Sequence, residues 1–221
     1  MIKEKISDVQ SGYDLVADEY ARRISDELRH KALDCRLLDR FAESVRNSGI
    51  ACDLGCGPGH IARYLHGRGI QVCGMDLSSG MVERARRLNP GIEFNQGDMR
   101  TLPVRDNTWA GIAAFYAIVH LPLPDLDRSL REMMRVLAPG GRLLLSFHIG
   151  EDTAQIESLW ESGAALEFHF FRVSTVRGSI ERAGFEIEEI IERDPYAPEV
   201  EYQSRRAYIF AQKPATKTTS A

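Results

Sequence analysis

The chain has 221 residues, 43% of them hydrophobic and 27% charged, a balance that excludes disorder over most of its length and suits one domain. Against 28 basic residues stand 32 acidic ones, a net charge of −4, so the broad positive field of a non-specific nucleic-acid binder is missing. The four cysteines, Cys35, Cys52, Cys56 and Cys73, form no CxxC pair, which leaves neither a disulfide scaffold nor a zinc knuckle and predicts reduced thiols.

Apolar residues at Tyr13, Val16, Ala17, Tyr20, Ile24 and Leu28 repeat at helical spacing. Leu33, Leu37, Leu38, Phe41 and Val45 predict a second helix, ended by Asn47-Ser48-Gly49. From there short apolar runs alternate with amphipathic stretches. Strands are predicted at Ile50–Leu54, Ile70–Met75, Ile92–Asn95, Trp109–Phe115 and Arg142–His148, the last entered through the turn Pro139-Gly140-Gly141. Helices are predicted at His60–His66, Ser79–Leu88 and Leu126–Leu137. Such alternation predicts an α/β fold, a doubly wound and mostly parallel sheet with helices on both faces. Ile149–Arg172 breaks the rhythm and reads as an insertion over the mouth of the sheet, with Leu166–Phe171 open between strand and loop. A helix at Ser174–Ala183 and strands at Phe185–Ile191 and Ala207–Gln212 follow. The expected organisation is one domain over 1–212, with a helical cap at 1–49, a lid at 149–173 and a disordered polar tail at 213–221. No apolar run approaches the roughly 20 residues of a membrane span, and the charged first residues lack the apolar core of a secretory signal, so a cytoplasmic protein is expected.

The most informative stretch is Asp53-Leu54-Gly55-Cys56-Gly57-Pro58-Gly59, between a strand and a helix. Glycines there let a ligand lie against bare backbone. His60 stands where a dinucleotide fingerprint has its third glycine, and the acid two positions before Gly55 suits a ligand with a cationic part better than a diphosphate. Asp76 ends the second strand 21 positions after Gly55, where an acceptor of ribose hydroxyls is expected. Asp98, after the third strand, is placed to accept from an exocyclic purine amine. Each acid alone could be a cap or an ordinary strand-end residue. Together they mark the carboxyl edge of the sheet, where open α/β folds bind ligands.

These segments resemble the class I S-adenosylmethionine-dependent methyltransferases, in the small-molecule branch that includes ubiquinone and menaquinone biosynthesis. The resemblance runs from about Tyr13 to Gly141 and more loosely to Gln212. It rests on the glycine motif, on Met75-Asp76-Leu77-Ser78-Ser79-Gly80-Met81, on Gly97-Asp98-Met99-Arg100-Thr101-Leu102-Pro103 and on Arg135-Val136-Leu137-Ala138-Pro139-Gly140-Gly141. It implies a seven-stranded Rossmann-like sheet whose last strand inserts antiparallel. It implies S-adenosylmethionine as cofactor, S-adenosylhomocysteine as product and a small-molecule acceptor; methylation of oxygen is slightly favoured over nitrogen or carbon, with no residue that compels it. Gly55 and Gly57 would touch the methionine part, with Asp53 nearby. Asp76 would hold the ribose, Asp98 and the Met99 amide the adenine, and Leu77 and Met81 would cover the ring. Tyr13 and Tyr20 would close over the cofactor, and Phe115 would lie beside it. A monomer or homodimer is expected, without membrane or nucleic-acid partners and without a metal.

His120, in Phe115-Tyr116-Ala117-Ile118-Val119-His120-Leu121-Pro122, is the candidate general base, the alternative being a packed histidine that supports its loop. Tyr116 is expected to shape the acceptor pocket. His148, His169, Phe168, Phe170 and Phe171 fit either an aromatic acceptor pocket or the lid's own core. Around Glu199 and Glu201, Tyr196, Arg205 and Arg206 fit either recognition of an acidic substrate by an arginine or a solvated edge of Arg–Glu pairs. Two further readings stay open, a non-catalytic binder of the same cofactor and a nicotinamide-dependent oxidoreductase.

Overall fold

The computed structural model describes residues 2–156, 159–161 and 163–215. Five strands alternate with helices in its central part. These are β1 (Ala51–Leu54), β2 (Val72–Asp76), β3 (Glu93–Gln96), β4 (Trp109–Phe115) and β5 (Leu137–His148). They lie parallel in the order β3-β2-β1-β4-β5. The crossovers are α3 (His60–Gly67), α4 (Ser79–Leu88) and α5 (Leu123–Val136), preceded by α1 (Ile2–Ile24) and α2 (Ala32–Val45). After α6 (Val173–Arg182), β8 (Glu186–Arg193) forms the edge and β9 (Arg206–Gln212) inserts antiparallel between it and β5. The seven-stranded sheet with one antiparallel strand is the architecture that the family resemblance implies.

Parallel strands covered on both faces have to be apolar on both faces. In β5, Leu143, Leu145 and Phe147 face one core while Leu144 faces the other, and none of the four is exposed. Burying each such side chain stabilises the fold by roughly 1.5–3 kcal/mol. Order reverses between β1 and β4, and the crevice outside their carboxyl ends is the topological switch point.

Several boundaries differ from expectation. The first helix stops at Ile24, and Glu27–His30 forms a 3-10 turn before α2. Helix α5 begins a turn earlier than predicted, because the extended Pro122 serves as its N-cap and Pro124 fits the first turn, where no amide hydrogen bond is lost. Pro139-Gly140-Gly141 is a bulge within β5 rather than a turn before it, with Gly140 at φ 77° and the register to β4 shifting there. Leu166–Phe171 resolves as a strand: β7 (Leu166–His169) pairs antiparallel with β6 (Thr153–Ile156) in a separate hairpin. Lys213 is held, not loose, since its amide donates to the Gly141 carbonyl and its Nζ to the Leu137 carbonyl. Residues 216–221 of the predicted tail lie outside the described residues.

The hairpin and α1 form the roof. Val16 packs with Leu159, Ala164 and Leu166, and Tyr13, Tyr20, Trp160 and Phe168 border that cluster. Asp14 fastens α1 to the sheet edge: its Oδ1 accepts from the Gly80 amide at 2.8 Å and from Ser78 Oγ at 2.5 Å. Among the described residues no helix is long and apolar enough to cross a membrane.

Candidate functional site

A cavity of about 1550 Å³ lies between the carboxyl ends of the strands and the roof. Its first half is made by the three loops that follow β1, β2 and β3. In the first, Gly55, Gly57 and Gly59 adopt φ of 75°, 50° and 80°, the left-handed region that side chains resist. A Cβ on Gly55 would sit 2.4 Å from the Ala117 Cβ, so a side chain there is excluded by space as well. The Gly55 and Cys56 amides donate to the Met75 carbonyl, at 2.7 and 3.0 Å, which fixes this loop against the end of β2.

Asp76 faces the cavity from that strand end. Its Oδ2 accepts from the Gly57 amide at 2.8 Å and its Oδ1 from the Ser78 amide at 2.9 Å, leaving an acceptor site on each oxygen. Burial holds its carboxyl above the usual range against those two amides. Ser78, not Asp76, caps α4, accepting from the Met81 amide at 3.0 Å. Asp98 also lines the cavity, clasped by the Arg100 guanidinium, with Nε at 2.9 Å from Oδ1 and Nη2 at 2.6 Å from Oδ2. Burial opposes ionisation of Asp98, but Arg100 prevails and holds it below the ordinary value. The far side of Arg100 reaches Asp125 at 3.0 Å. Tyr13, Tyr20, Leu77, Met81, Met99 and Phe115 also line the cavity.

Asp53 does not join it. Its side chain lies beneath the glycine loop, 1% exposed and off the cavity wall, and its Oδ2 accepts from the Ala62 amide at 2.9 Å. Helix α3 starts at a left-handed glycine with no side-chain cap, so a carboxyl from the preceding strand satisfies an otherwise orphaned amide. Burial raises the Asp53 carboxyl to about 7.

The second half is built from distant segments. Tyr116 has φ 52°, a strained setting for a side-chain-bearing residue, held by its amide donating to the Ser146 carbonyl at 3.1 Å. Its ring lies 5.1 Å from that of His148. His120 links three elements. Its Nδ1 lies 2.6 Å from the Glu167 carbonyl of β7 and its Nε2 lies 2.7 Å from the Tyr13 hydroxyl of α1. A carbonyl can only accept, so Nδ1 carries the proton and the Nε2 lone pair receives the tyrosine O–H. Burial lowers the His120 pKa to about 4, which keeps the ring neutral.

Of the predicted acceptor residues, Tyr116, His148 and His169 line the cavity, with Phe168 and Phe170. Phe171 turns away into the core against Phe147. Tyr196 and Arg205 do not line it. The Tyr196 hydroxyl accepts from the Leu33 amide at 2.9 Å and its ring carries Arg193, so it braces α2. Arg205 lies outside, ion-paired with Glu192 and Asp194, because β9 alternates and its neighbour Arg206 takes the inward position. Sequence reasoning missed Lys31, which lines the cavity and donates to Glu27 at 2.5 Å. It lies at the start of a helix, where no periodicity marks it.

Residues 51–141 match the family described as "Methyltransferase domain". The malonyl-[acyl-carrier protein] O-methyltransferase of Enterobacter lignolyticus is 27% identical over 153 residues, 66% of this chain and 59% of that protein. The 2-phytyl-1,4-naphtoquinone methyltransferase of Thermosynechococcus vestitus is 30% identical over 151 residues, 66% of this chain and 63% of that protein. The chain thus spans about three fifths of the length of the curated relatives it matches. A crystal structure of an S-adenosylmethionine-dependent methyltransferase from Mesorhizobium loti shares the fold, with a TM-score of 0.65 and 23% identity over 80% of this chain and 96% of that one. Residues 51–141 thus match the methyltransferase-domain family, and the chain shares its fold with solved S-adenosylmethionine-dependent methyltransferases.

Proposed function

We propose that the chain transfers a methyl group from S-adenosylmethionine to a small-molecule acceptor, by in-line displacement within the roofed cavity. The observation that carries this reading is the pairing of Asp76, with an open acceptor site on each oxygen, and a glycine loop whose first glycine has no room for a side chain. A vicinal diol on Asp76 and an amino-acid chain along bare backbone are what that arrangement fits. Asp98, held in place by Arg100, faces the adenine amine, and Leu77 and Met81 cover the ring. Tyr13 and Tyr20 close from α1 and exclude water. When bound, the cofactor supplies an already activated methyl on a sulfonium, so alignment is most of what the protein has to add. Such alignment is worth up to roughly 7–11 kcal/mol in favourable model systems.

His120 takes the acceptor proton in this reading. Its tautomer leaves Nε2 free of hydrogen, and an acceptor hydroxyl would replace Tyr13 as the donor to that lone pair. O-methylation is accordingly the favoured chemistry. Residues 1–212 act as one unit, with 1–49 and 149–173 as covers. The relatives named above are named for a malonyl-[acyl-carrier protein] and a 2-phytyl-1,4-naphtoquinone, and only the first name specifies methylation of oxygen. Calorimetric titration with S-adenosylhomocysteine and with NAD tests the reading. Binding of the first alone is expected, whereas binding of NAD alone would leave an oxidoreductase. A labelled-methyl assay on pooled metabolites then separates an enzyme from a silent binder.

A further inference from the structure

Charge is distributed differently in the two halves of the cavity. Around Tyr116 in the second half, the buried Lys31, Arg193 and Arg206 are ion-paired with Glu27, Asp34 and Glu201, and the signs balance. The first half has no such balance. Among the described residues Asp76 and Asp14 make no ion pair: amides hold Asp76, and Asp14 accepts from an amide and from hydroxyls. The charge of Asp14 adds to that of Asp76. Arg100 is one cation shared between Asp98 and Asp125. Four carboxylates therefore stand against one guanidinium. A carboxylate sheltered from water that no cation balances favours a cationic ligand beside it.

Two rings of the roof border that unbalanced charge. Tyr13 and Tyr20 meet edge to face with centroids 5.6 Å apart, and both line the cavity. A ring carbon of Tyr20 lies 3.7 Å from where a Cβ on Gly57 would stand, and the Gly57 amide is one of those that hold Asp76. Burial pushes both hydroxyls above the usual tyrosine range, with the Asp76 charge contributing to each, so the phenols stay neutral within its field. Trp160, 5.6 Å from Tyr20, already carries Arg23 over its ring at 4.9 Å. Among the described residues no cation lies over Tyr13 or Tyr20. An uncovered ring shielded from water attracts a cation through its quadrupole, and a neutral group in the same place lacks that attraction.

We infer that Tyr13 and Tyr20, set against the uncompensated Asp76 and Asp14, make the site choose a sulfonium over the thioether left once its methyl is gone. Methyl donor and demethylated product differ by one methyl and one positive charge, and these residues tell them apart by the charge. The inference rests on the methyl-transfer reading, and its test can fail separately from that reading.

The test titrates S-adenosylmethionine and S-adenosylhomocysteine by calorimetry into the full chain, with no acceptor present. The sulfonium is expected to bind about 2- to 30-fold more tightly, the range of a cation–π contact. Tyr20→Leu should bring the ratio of the two affinities towards one, mainly by weakening the sulfonium. Tyr20→Phe should keep the ratio, because the ring and not the hydroxyl carries the effect. Asp14→Asn retains an acceptor for the Gly80 amide and should lower the ratio by a smaller factor; it decides the matter should Tyr20→Leu fail to fold. Equal affinities in the native chain, tighter binding of the thioether, an unchanged ratio in the folded variants, or a ratio lost as fully in Tyr20→Phe as in Tyr20→Leu would each overturn the inference. If both compounds bind alike, the inference falls and the methyl-transfer reading stands. If neither binds at millimolar concentration, the methyl-transfer reading falls and takes the inference with it.

Discussion

The two halves of the cavity are built in opposite ways. The first comes from three consecutive strand ends within residues 53–100, and its wall is bare backbone and carboxylates already fixed by amides. The second gathers Lys31, Tyr116, His120, His148, Glu167 and Arg206, which come from α2's threshold, the end of β4, β5, the hairpin and β9. Local geometry positions the first. Long-range packing positions the second, so its groups depend on the roof staying closed.

That contrast can be broken. The largest effect is expected at His120, a member of the second half. His120→Asn should lower kcat by about 100- to 10,000-fold with a hydroxyl acceptor, the range for general-base catalysis, and flatten the acid limb of the pH–rate profile. A change confined to the melting temperature would make His120 a tie between roof and floor instead.

Next comes Asp53, under the first half. Its carboxyl is raised to about 7 in the fold against roughly 4 when unfolded, so the native state binds a proton more tightly than the unfolded state. Stability contributed by the neutral form is present below about pH 4 and lost as pH rises to about 7, by at most about 4 kcal/mol. Asp53→Asn keeps an acceptor for the Ala62 amide and should remove this slope. Urea unfolding at several pH values measures it, and an undiminished slope would assign the proton elsewhere.

Asp76→Ala gives the smallest change of the three. It should weaken S-adenosylhomocysteine by about 1.5–3 kcal/mol while leaving the pH–rate profile set by His120 in the second half intact. Loss of both would mean that the halves are one coupled unit.

The legibility of the molecule follows the same division. The glycine loop, Asp76 and Asp98 were readable because each sits at a fixed offset from an apolar run, and strand and helix periods differ enough to place those runs. Asp53 was placed in the site because it adjoins the glycines. Alternation along β1 points it under the loop, where an amide of α3 lacks a partner. Arg205 and Arg206 are neighbours of the same type, and only the register of β9 between β5 and β8 decides which one turns inward.

By itself, the amino-acid order determined the alternating architecture, the switch point and the glycine loop and acids that line one side of it, since all of these rest on local periodicity and short-range backbone geometry. Tertiary structure alone decided the tautomer of His120 and the burial of Lys31 and Arg206. Those depend on how separate segments pack over one another, as when the Glu167 carbonyl of the hairpin meets His120, and not on the spacing of residues along any one element.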